Sequence, residues 1–251
     1  MHHLLFDLDG TLTDPRDGIL NGLRAALVDQ HVPVPPDSEL TRWIGPPLRI
    51  IFAKLLPTPG PADIERAVAV YREHYDATGW SENRVYPGIP EALATLTAQG
   101  FALYVATSKL QRFASRILEH FGLARHFHGI YGSELAGRFD YKPDLVQHIV
   151  ETHALRPADA TMIGDRREDI VAGRAHGLST TGVLWGFGDR AELTAAGGGL
   201  TLLHRMRHRL ADKEIGSQRI TRIGRGQRRN LLRKFVVTGH GWVIRRVNAE
   251  R

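Results

Sequence analysis

The chain has 251 residues, of which 42% are apolar and 24% charged, and it contains no cysteine. That excludes a disulfide framework, a thiolate zinc site and a cysteine nucleophile, and it fits a reducing cytoplasm. The net charge of +6 conceals a division: residues 1–199 hold 19 Lys+Arg against 24 Asp+Glu, whereas residues 200–251 hold 14 against 3.

The first element expected is a strand over residues 4–8 of HHLLFDLDGTLTD, a short apolar run that stops at Gly10. No cationic leader precedes it, and no apolar run approaches the ~20 residues of a spanning helix, so neither a signal segment nor a membrane partner is expected. Over residues 15–84 the pattern is helical. Ile19, Leu20, Leu23, Ala26 and Leu27 recur at helical spacing, as do Ile64, Ala67, Val68, Tyr71 and Tyr75, with proline-rich breaks at 32–36 and 57–61. This segment shows no strand pattern and predicts a small helical subdomain.

After Tyr86-Pro87-Gly88 the rhythm alternates. A helix is expected over 89–98, a strand over 101–106, a helix over 111–120, a strand in GIYGS at 129–133 and a helix over 145–153. A strand in TMIGD at 161–165, a helix over 170–175 and a strand in TTGVL at 180–184 follow. Such alternation predicts an α/β fold with a Rossmann-like parallel sheet core. The expected organisation is a core of residues 1–14 and 85–199, a helical insert of 15–84, and a basic extension of 200–251.

The chemistry collects where the strands end. Asp7 and Asp9 lie one residue apart in an apolar run, a costly burial unless a cation or hydrogen bonds compensate. Residues i and i+2 of a strand share a face, so both can address one site. Ligands of an open parallel sheet bind beyond the carboxyl ends of its strands. There the sequence places Asp7 and Asp9, then Thr107 and Ser108, then Lys142 on a longer loop, then Asp165 and Asp169. Taken singly, each has an ordinary explanation as a helix cap, a surface lysine or an acidic helix start. Together, in this order, three or four carboxylates, a lysine and a hydroxyl suit a hard cation with a phosphate completing its coordination.

At these residues the chain resembles the haloacid dehalogenase-like phosphohydrolases. The motifs are DLDGT from Asp7 to Thr11, VATS ending in Thr107 and Ser108, Lys142 in YKPD, and GDRRED with Asp165 and Asp169. The resemblance spans roughly residues 4–196, and the insert after the first motif resembles that family's helical cap of the first type. WIGPPL, SENRVYPGIPEAL and MIGDRREDI are most similar to the branch with 5′-nucleotidase-like and phosphoglycolate phosphatase-like members. The resemblance implies Asp7 as nucleophile, forming an aspartyl-phosphate, and Asp9 as general acid and base. It implies Mg²⁺ held by Asp7, Asp165 and the carbonyl of Asp9, with Asp169 as a further ligand. Thr107 and Lys142 would neutralise the phosphoryl oxygens, and the backbone around Leu8, Gly10 and Ser108 would complete the cradle.

The implied partner is a small phosphomonoester, with a nucleoside 5′-monophosphate favoured and 2-phosphoglycolate the alternative, for a monomer or homodimer. Arg16, Arg42, Gly45, Arg49 and Lys54 of the insert, and Lys109 after the second motif, are candidates to touch the leaving group. Gly10, Ser108, Lys109 and Arg49 form the expected substrate-binding set. The Arg-rich extension, with Phe235 and Trp242, departs from the family's pattern. It is open to three readings: a peripheral extension, the product of a frameshift, or a nucleic-acid contact on a phosphatase scaffold. His204 and His208 lack the glutamate of a zinc-protease pattern, and GFGDRA lacks the third glycine of a dinucleotide loop.

Overall fold

The structure, a computed structural model, describes residues 2–198, 200–202, 233–238 and 241–246. Most of the basic extension, and the readings of it given above, lie outside the described residues.

The chain opens with β1 (His3–Phe6) and β2 (Thr13–Asp14), then α1 (Arg16–Asp29), α2 (Asp37–Leu40), α3 (Leu48–Leu55), α4 (Pro61–His74) and β3 (Arg84–Val85). There follow α5 (Ile89–Ala98), β4 (Ala102–Leu110), α6 (Gln111–His120), β5 (Gly129–Ser133), α7 (Lys142–Thr152) and β6 (Ala160–Gly164). After these come α8 (Arg167–Ala175), β7 (Ser179–Val183), α9 (Arg190–Ala195), β8 (Leu200–Leu202), and an antiparallel pair, β9 (Arg233–Thr238) with β10 (Gly241–Arg246).

One parallel sheet runs in the order β5-β4-β1-β6-β7-β8. With its strands renumbered in chain order this is the 3-2-1-4-5-6 arrangement of the doubly wound α/β fold, and β1 sits at its switch point. Alternation along the central strands divides the core. Leu4, Phe6, Leu103 and Val105 face one side, and Leu5, Ala102, Tyr104 and Met162 face the other against Leu145, Ile149 and Ala172. The first cluster continues without a break into the helical insert through Ile19, Leu23, Phe52, Val68 and Tyr75.

The insert is packed on its own account. Gly22 of α1 lets α4 approach closely, because a Cβ there would fall 2.8 Å from the Tyr71 ring. At the start of α4, Pro61 follows Gly60, whose N–H donates to Asp63 at 2.8 Å and so satisfies one of the donors a helix start leaves open. At its far end the helix widens into a single π-type turn over Tyr75–Gly79.

Four expectations change. β1 stops at Phe6: the Asp7 N–H still donates to Ile163 O on β6, and the chain turns immediately after it. β4 runs on to Leu110 through Thr107 and Ser108, with an irregular register between Ala106 and Leu110, where a polar turn was expected. Lys142 is the first residue of α7, with Pro143 in the first turn, and does not lie on a loop. The two crossings between core and insert pair as a short antiparallel ribbon, Thr13 with Val85 and Asp14 with Arg84. Two residues a side are too few for alternation to register in a sequence.

Candidate active site

The charged groups gather at the carboxyl edge of β1, β4 and β6. Asp7 is held at the end of β1 by its backbone N–H, which donates to Ile163 O at 2.8 Å. The chain then turns tightly, with Gly10 N donating to Thr13 O at 2.8 Å and Gly10 at φ +84°. No other residue fits at Gly10: a Cβ would lie 2.2 Å from Asp165 Oδ2.

Asp165 follows β6 and is fully buried. Its Oδ1 accepts from the Thr11 hydroxyl at 3.3 Å and its Oδ2 from the Phe187 N–H at 2.7 Å. Asp169, also fully buried, lies in the first turn of α8, where Oδ2 accepts from Arg166 N at 3.0 Å. Its Oδ1 accepts from Lys142 Nζ, which also lies 3.1 Å from Asp7 Oδ1. Carboxylate oxygens of Asp7, Asp165 and Asp169 lie within 4.8 Å of one another.

Three buried carboxylates therefore face one lysine. Burial, and then the charges of Asp169 and Asp7, push the Asp165 carboxyl well above the ordinary carboxylate range. Burial raises Asp169 as well, and Lys142 offsets part of that rise. Burial alone would lower the Lys142 pKa, but the two carboxylates beside it hold it above its usual value. The excess of negative charge, with oxygen as the only donor type, is what a hard divalent cation such as Mg²⁺ would neutralise. The residues fit that ion.

Asp9 does not join this cluster. Its Oδ2 pairs with Lys109 Nζ at 2.6 Å, and that ammonium sits 4.6 Å from the centre of the Tyr75 ring. Burial raises the Asp9 pKa and Lys109 draws it back down. The turn after β1 thus sends neighbouring acids apart: Asp7 toward the carboxylates, Asp9 toward a cation. Thr107 is buried and its hydroxyl accepts from Lys109 N at 3.2 Å, while Ser108 O accepts from the Ser133 hydroxyl at 3.0 Å.

A cavity between sheet edge and insert is lined, among others, by Asp7, Asp9, Thr107, Ser108, Lys109 and Arg49. Lys142, Asp165 and Asp169 lie behind Asp7 and outside its lining, as does Gly10, which is spent on closeness to Asp165. Arg49 reaches the cavity, but its guanidinium is taken up by Glu65, at 2.5 and 3.0 Å, and by Asp140 at 2.7 Å. Of the insert's other candidates only Gly45 reaches the lining; Arg16, Arg42 and Lys54 do not.

Several contributors went unseen in the sequence. Thr11 and the Phe187 backbone orient Asp165, and the Trp185 indole in turn donates to Thr11 O at 3.0 Å. Arg166 bridges core and insert, donating to Ile44 O and pairing with Glu192 at 2.9 Å. Tyr71 and Tyr75 line the cavity as stacked rings 5.7 Å apart; their helical spacing was visible, but it reads equally well as core packing. Arg72, between the helical positions that face the core, gave no signal at all.

A doubly wound sheet whose carboxyl edge gathers buried acids and a lysine beside a helical insert defines an α/β enzyme that works on phosphoryl groups. The chain belongs to the haloacid dehalogenase-like hydrolases, whose family model matches residues 4–183, and it is a phosphatase of that family. It is 44% identical over 195 residues to a 5′-nucleotidase of Pseudomonas aeruginosa, covering 77% of this chain and 87% of that one. A phosphoglycolate phosphatase of Aquifex aeolicus is 32% identical over 187 residues, covering 74% and 86%. A tyrosine-protein kinase, PtkA, of Mycobacterium tuberculosis is 39% identical over 186 residues, covering 74% of this chain and 62% of that one. Among solved structures, a predicted phosphatase from Clostridium acetobutylicum superposes with a TM-score of 0.77 at 38% identity, covering 80% and 92%.

Proposed function

We propose that this enzyme hydrolyses a small phosphomonoester, in the first place a nucleoside 5′-monophosphate, by way of a phosphorylated Asp7. The observation that carries the reading is the pairing of Asp7 and Asp9 on one cavity with aromatic side chains opposite them. Residues 1–14 and 85–199 form the catalytic core in this reading, and 15–84 the cap that encloses the leaving group.

The carboxylates of Asp7 and Asp165 and the Asp9 carbonyl, with Asp169 in support, would hold Mg²⁺, which when bound neutralises charge on the phosphoryl oxygens. An Asp7 oxygen attacks phosphorus as the ester P–O bond breaks, and protonated Asp9 delivers its proton to the departing alkoxide. Burial of Asp9 favours the protonated form this step requires. Asp9, now a carboxylate, removes a proton from water attacking the aspartyl-phosphate. The bond between phosphorus and the Asp7 oxygen breaks, which releases phosphate and restores both acids. Lys142 balances Asp7 and Asp169, and the Thr107 hydroxyl donates to the transferring group.

The far wall supports a nucleoside. Trp43, Tyr71, Tyr75 and Phe113 line the cavity and make this wall aromatic, a lining that suits a flat base. The relative named 5′-nucleotidase, 44% identical, supports the same reading. The test is phosphate release in the presence of Mg²⁺ from nucleoside monophosphates, 2-phosphoglycolate and sugar phosphates. Release fastest from a nucleotide, and lost in Asp7→Asn, is the expected result; preference for 2-phosphoglycolate or a sugar phosphate overturns the nucleotide assignment.

A further inference from the structure

Two residues that line the cavity each carry a buried donor with no hydrogen-bond partner among the described residues, and the hydrolysis described above uses neither donor. Arg72 of α4 lines the cavity, and its Nε is buried without a hydrogen-bond partner. Tyr75, nearly one turn further, lines it too, with its hydroxyl buried and unpartnered. Leaving a buried donor unmade is costly, so such groups mark where a ligand's acceptors belong.

Arg72 differs from the other arginine on the cavity. Glu65 and Asp140 take up Arg49, whereas Arg72 has no carboxylate within ion-pair distance among the described residues. The one hydrogen bond it makes there is long, from Nη1 to Leu135 O at 3.5 Å. That bond leaves the Nε–Nη2 edge, the side of a guanidinium whose two N–H groups point the same way, without a hydrogen-bond partner among the described residues. Such an edge matches two acceptor atoms set side by side.

A carboxylate, the O6/N7 edge of a 6-oxopurine and the O2/N3 edge of cytosine each present that pair, and of the two bases the larger, two-ring purine covers more of the aromatic wall. Adenine does not, because an amino donor replaces O6. The aromatic side chains beside Arg72 suit a flat base better than a two-carbon acid. We propose that Arg72 is the specificity residue of the cap and reads the O6/N7 edge of a 6-oxopurine nucleoside 5′-monophosphate, with the Tyr75 hydroxyl as a further donor to the leaving group. The proposal rests on the nucleotide reading above and narrows it.

The test is steady-state kinetics with Mg²⁺ on GMP, AMP, 2-phosphoglycolate and phenyl phosphate, for wild type, Arg72→Lys and Arg72→Gln. Lysine keeps the charge without the fork, and glutamine keeps a donor without the charge, so the two variants guard against one that fails to fold. Phenyl phosphate has no acceptor pair and serves as the internal reference. Wild type should prefer GMP to AMP. In both variants the kcat/KM ratio of GMP to phenyl phosphate should fall about 10- to 100-fold, through KM, since a bidentate pair discriminates by that order. The AMP ratio should move less than about threefold, as AMP presents no such pair. A fall confined to 2-phosphoglycolate overturns the 6-oxopurine assignment in favour of a carboxylate. Equal loss on every substrate overturns it in favour of a structural role, and so does equal use of GMP and AMP by wild type. Failure of wild type to hydrolyse any nucleotide, with phenyl phosphate still cleaved, overturns the nucleotide reading itself, an outcome visible before any variant is made.

Discussion

The two halves of the cavity are built on opposite principles. On the core side every carboxylate is tied to a cation or to hydrogen-bond donors: Asp9 to Lys109, Asp7 and Asp169 to Lys142, Asp165 to Thr11 and the Phe187 backbone. These groups sit at the ends of buried strands or in the first turns of helices packed on them, so their geometry is set before any substrate arrives. On the cap side the surface is mostly aromatic, and its unpaired polar atoms, Arg72 Nε and Tyr75 Oη, are donors without acceptors. The atoms left without a hydrogen bond on the two sides are of opposite kind, the acceptors Asp7 Oδ1 and Asp9 Oδ1 on the core and the two donors on the insert. In the function proposed above, the chemistry that must be preorganised is assigned to the sheet and the recognition that must vary to the insert.

The sharpest way to break this contrast is on the core side. Asp7→Asn should lower kcat by at least ~10⁴-fold, the scale on which loss of a nucleophile is felt, while the circular dichroism spectrum stays that of the native protein. Residual turnover at a tenth of the wild-type rate would remove Asp7 from the chemistry. Lys109→Met leaves Asp9 buried without its cation. It should cost about 3 kcal/mol in urea unfolding, the lower end for breaking a buried pair. The Asp9 carboxyl should then titrate higher still, because the lysine is what draws it down. An unchanged urea midpoint would show that the pair contributes nothing.

The carboxylate cluster makes a prediction about pH and metal. A carboxyl whose pKa is raised on folding binds more protons folded than unfolded, so its contribution favours the fold at low pH and is lost as pH climbs through the folded value. Asp165 and Asp169 are both raised, Asp169 to about 7. Without divalent metal, these two groups should destabilise the protein progressively from about pH 4 toward neutrality. Mg²⁺ binds the deprotonated cluster, so its effect should be larger at pH 8 than at pH 5. At a hundredfold excess over Kd the rise in Tm at pH 8 should be about 5–10 °C. A rise equal at both pH values would place the ion away from these acids.

The same contrast governs what could be read from the sequence. Strand ends are legible because a parallel sheet forces a repeating pattern of apolar run, polar turn and helix. Asp7 and Asp165 follow directly on β1 and β6 and so fall at such a junction, whereas Thr107 was expected at one and lies within β4, and Lys142 opens the helix after β5. Asp9 could be placed there too, but not its direction. Its side chain turns to Lys109 because the chain leaves β1 after Phe6, a deviation of two residues from the expected strand. The cap offered less. Helical periodicity reports which residues are inward, and Tyr71 and Tyr75 were so marked, yet the same period serves a core and a cavity wall alike. Arg72 falls off that period, so periodicity gives no sign that its Nε is buried. The sequence marked Arg49 as a candidate ligand and passed over Arg72; what separates them in the structure is whether a carboxylate stands within reach, and Asp140 is 91 residues away from Arg49 along the chain.

That difference between the two arginines yields the smallest expected effect and the cleanest internal control. Arg49 is 28% exposed and its partners Glu65 and Asp140 are 54% and 26% exposed, so water already screens much of their attraction. Exposed pairs of this kind contribute about 0–1 kcal/mol. Arg49→Met should accordingly lower Tm by no more than about 3 °C, since 1 kcal/mol corresponds to a few degrees in a protein of this size. It should change KM for GMP less than about threefold, because a guanidinium already committed to carboxylates has little left for substrate. Were Arg49→Met to raise that KM tenfold while Arg72→Lys left it alone, the two residues would exchange roles. The Glu65–Asp140 pair would then be a reservoir that releases its arginine on binding, and the cap would be as preorganised as the core.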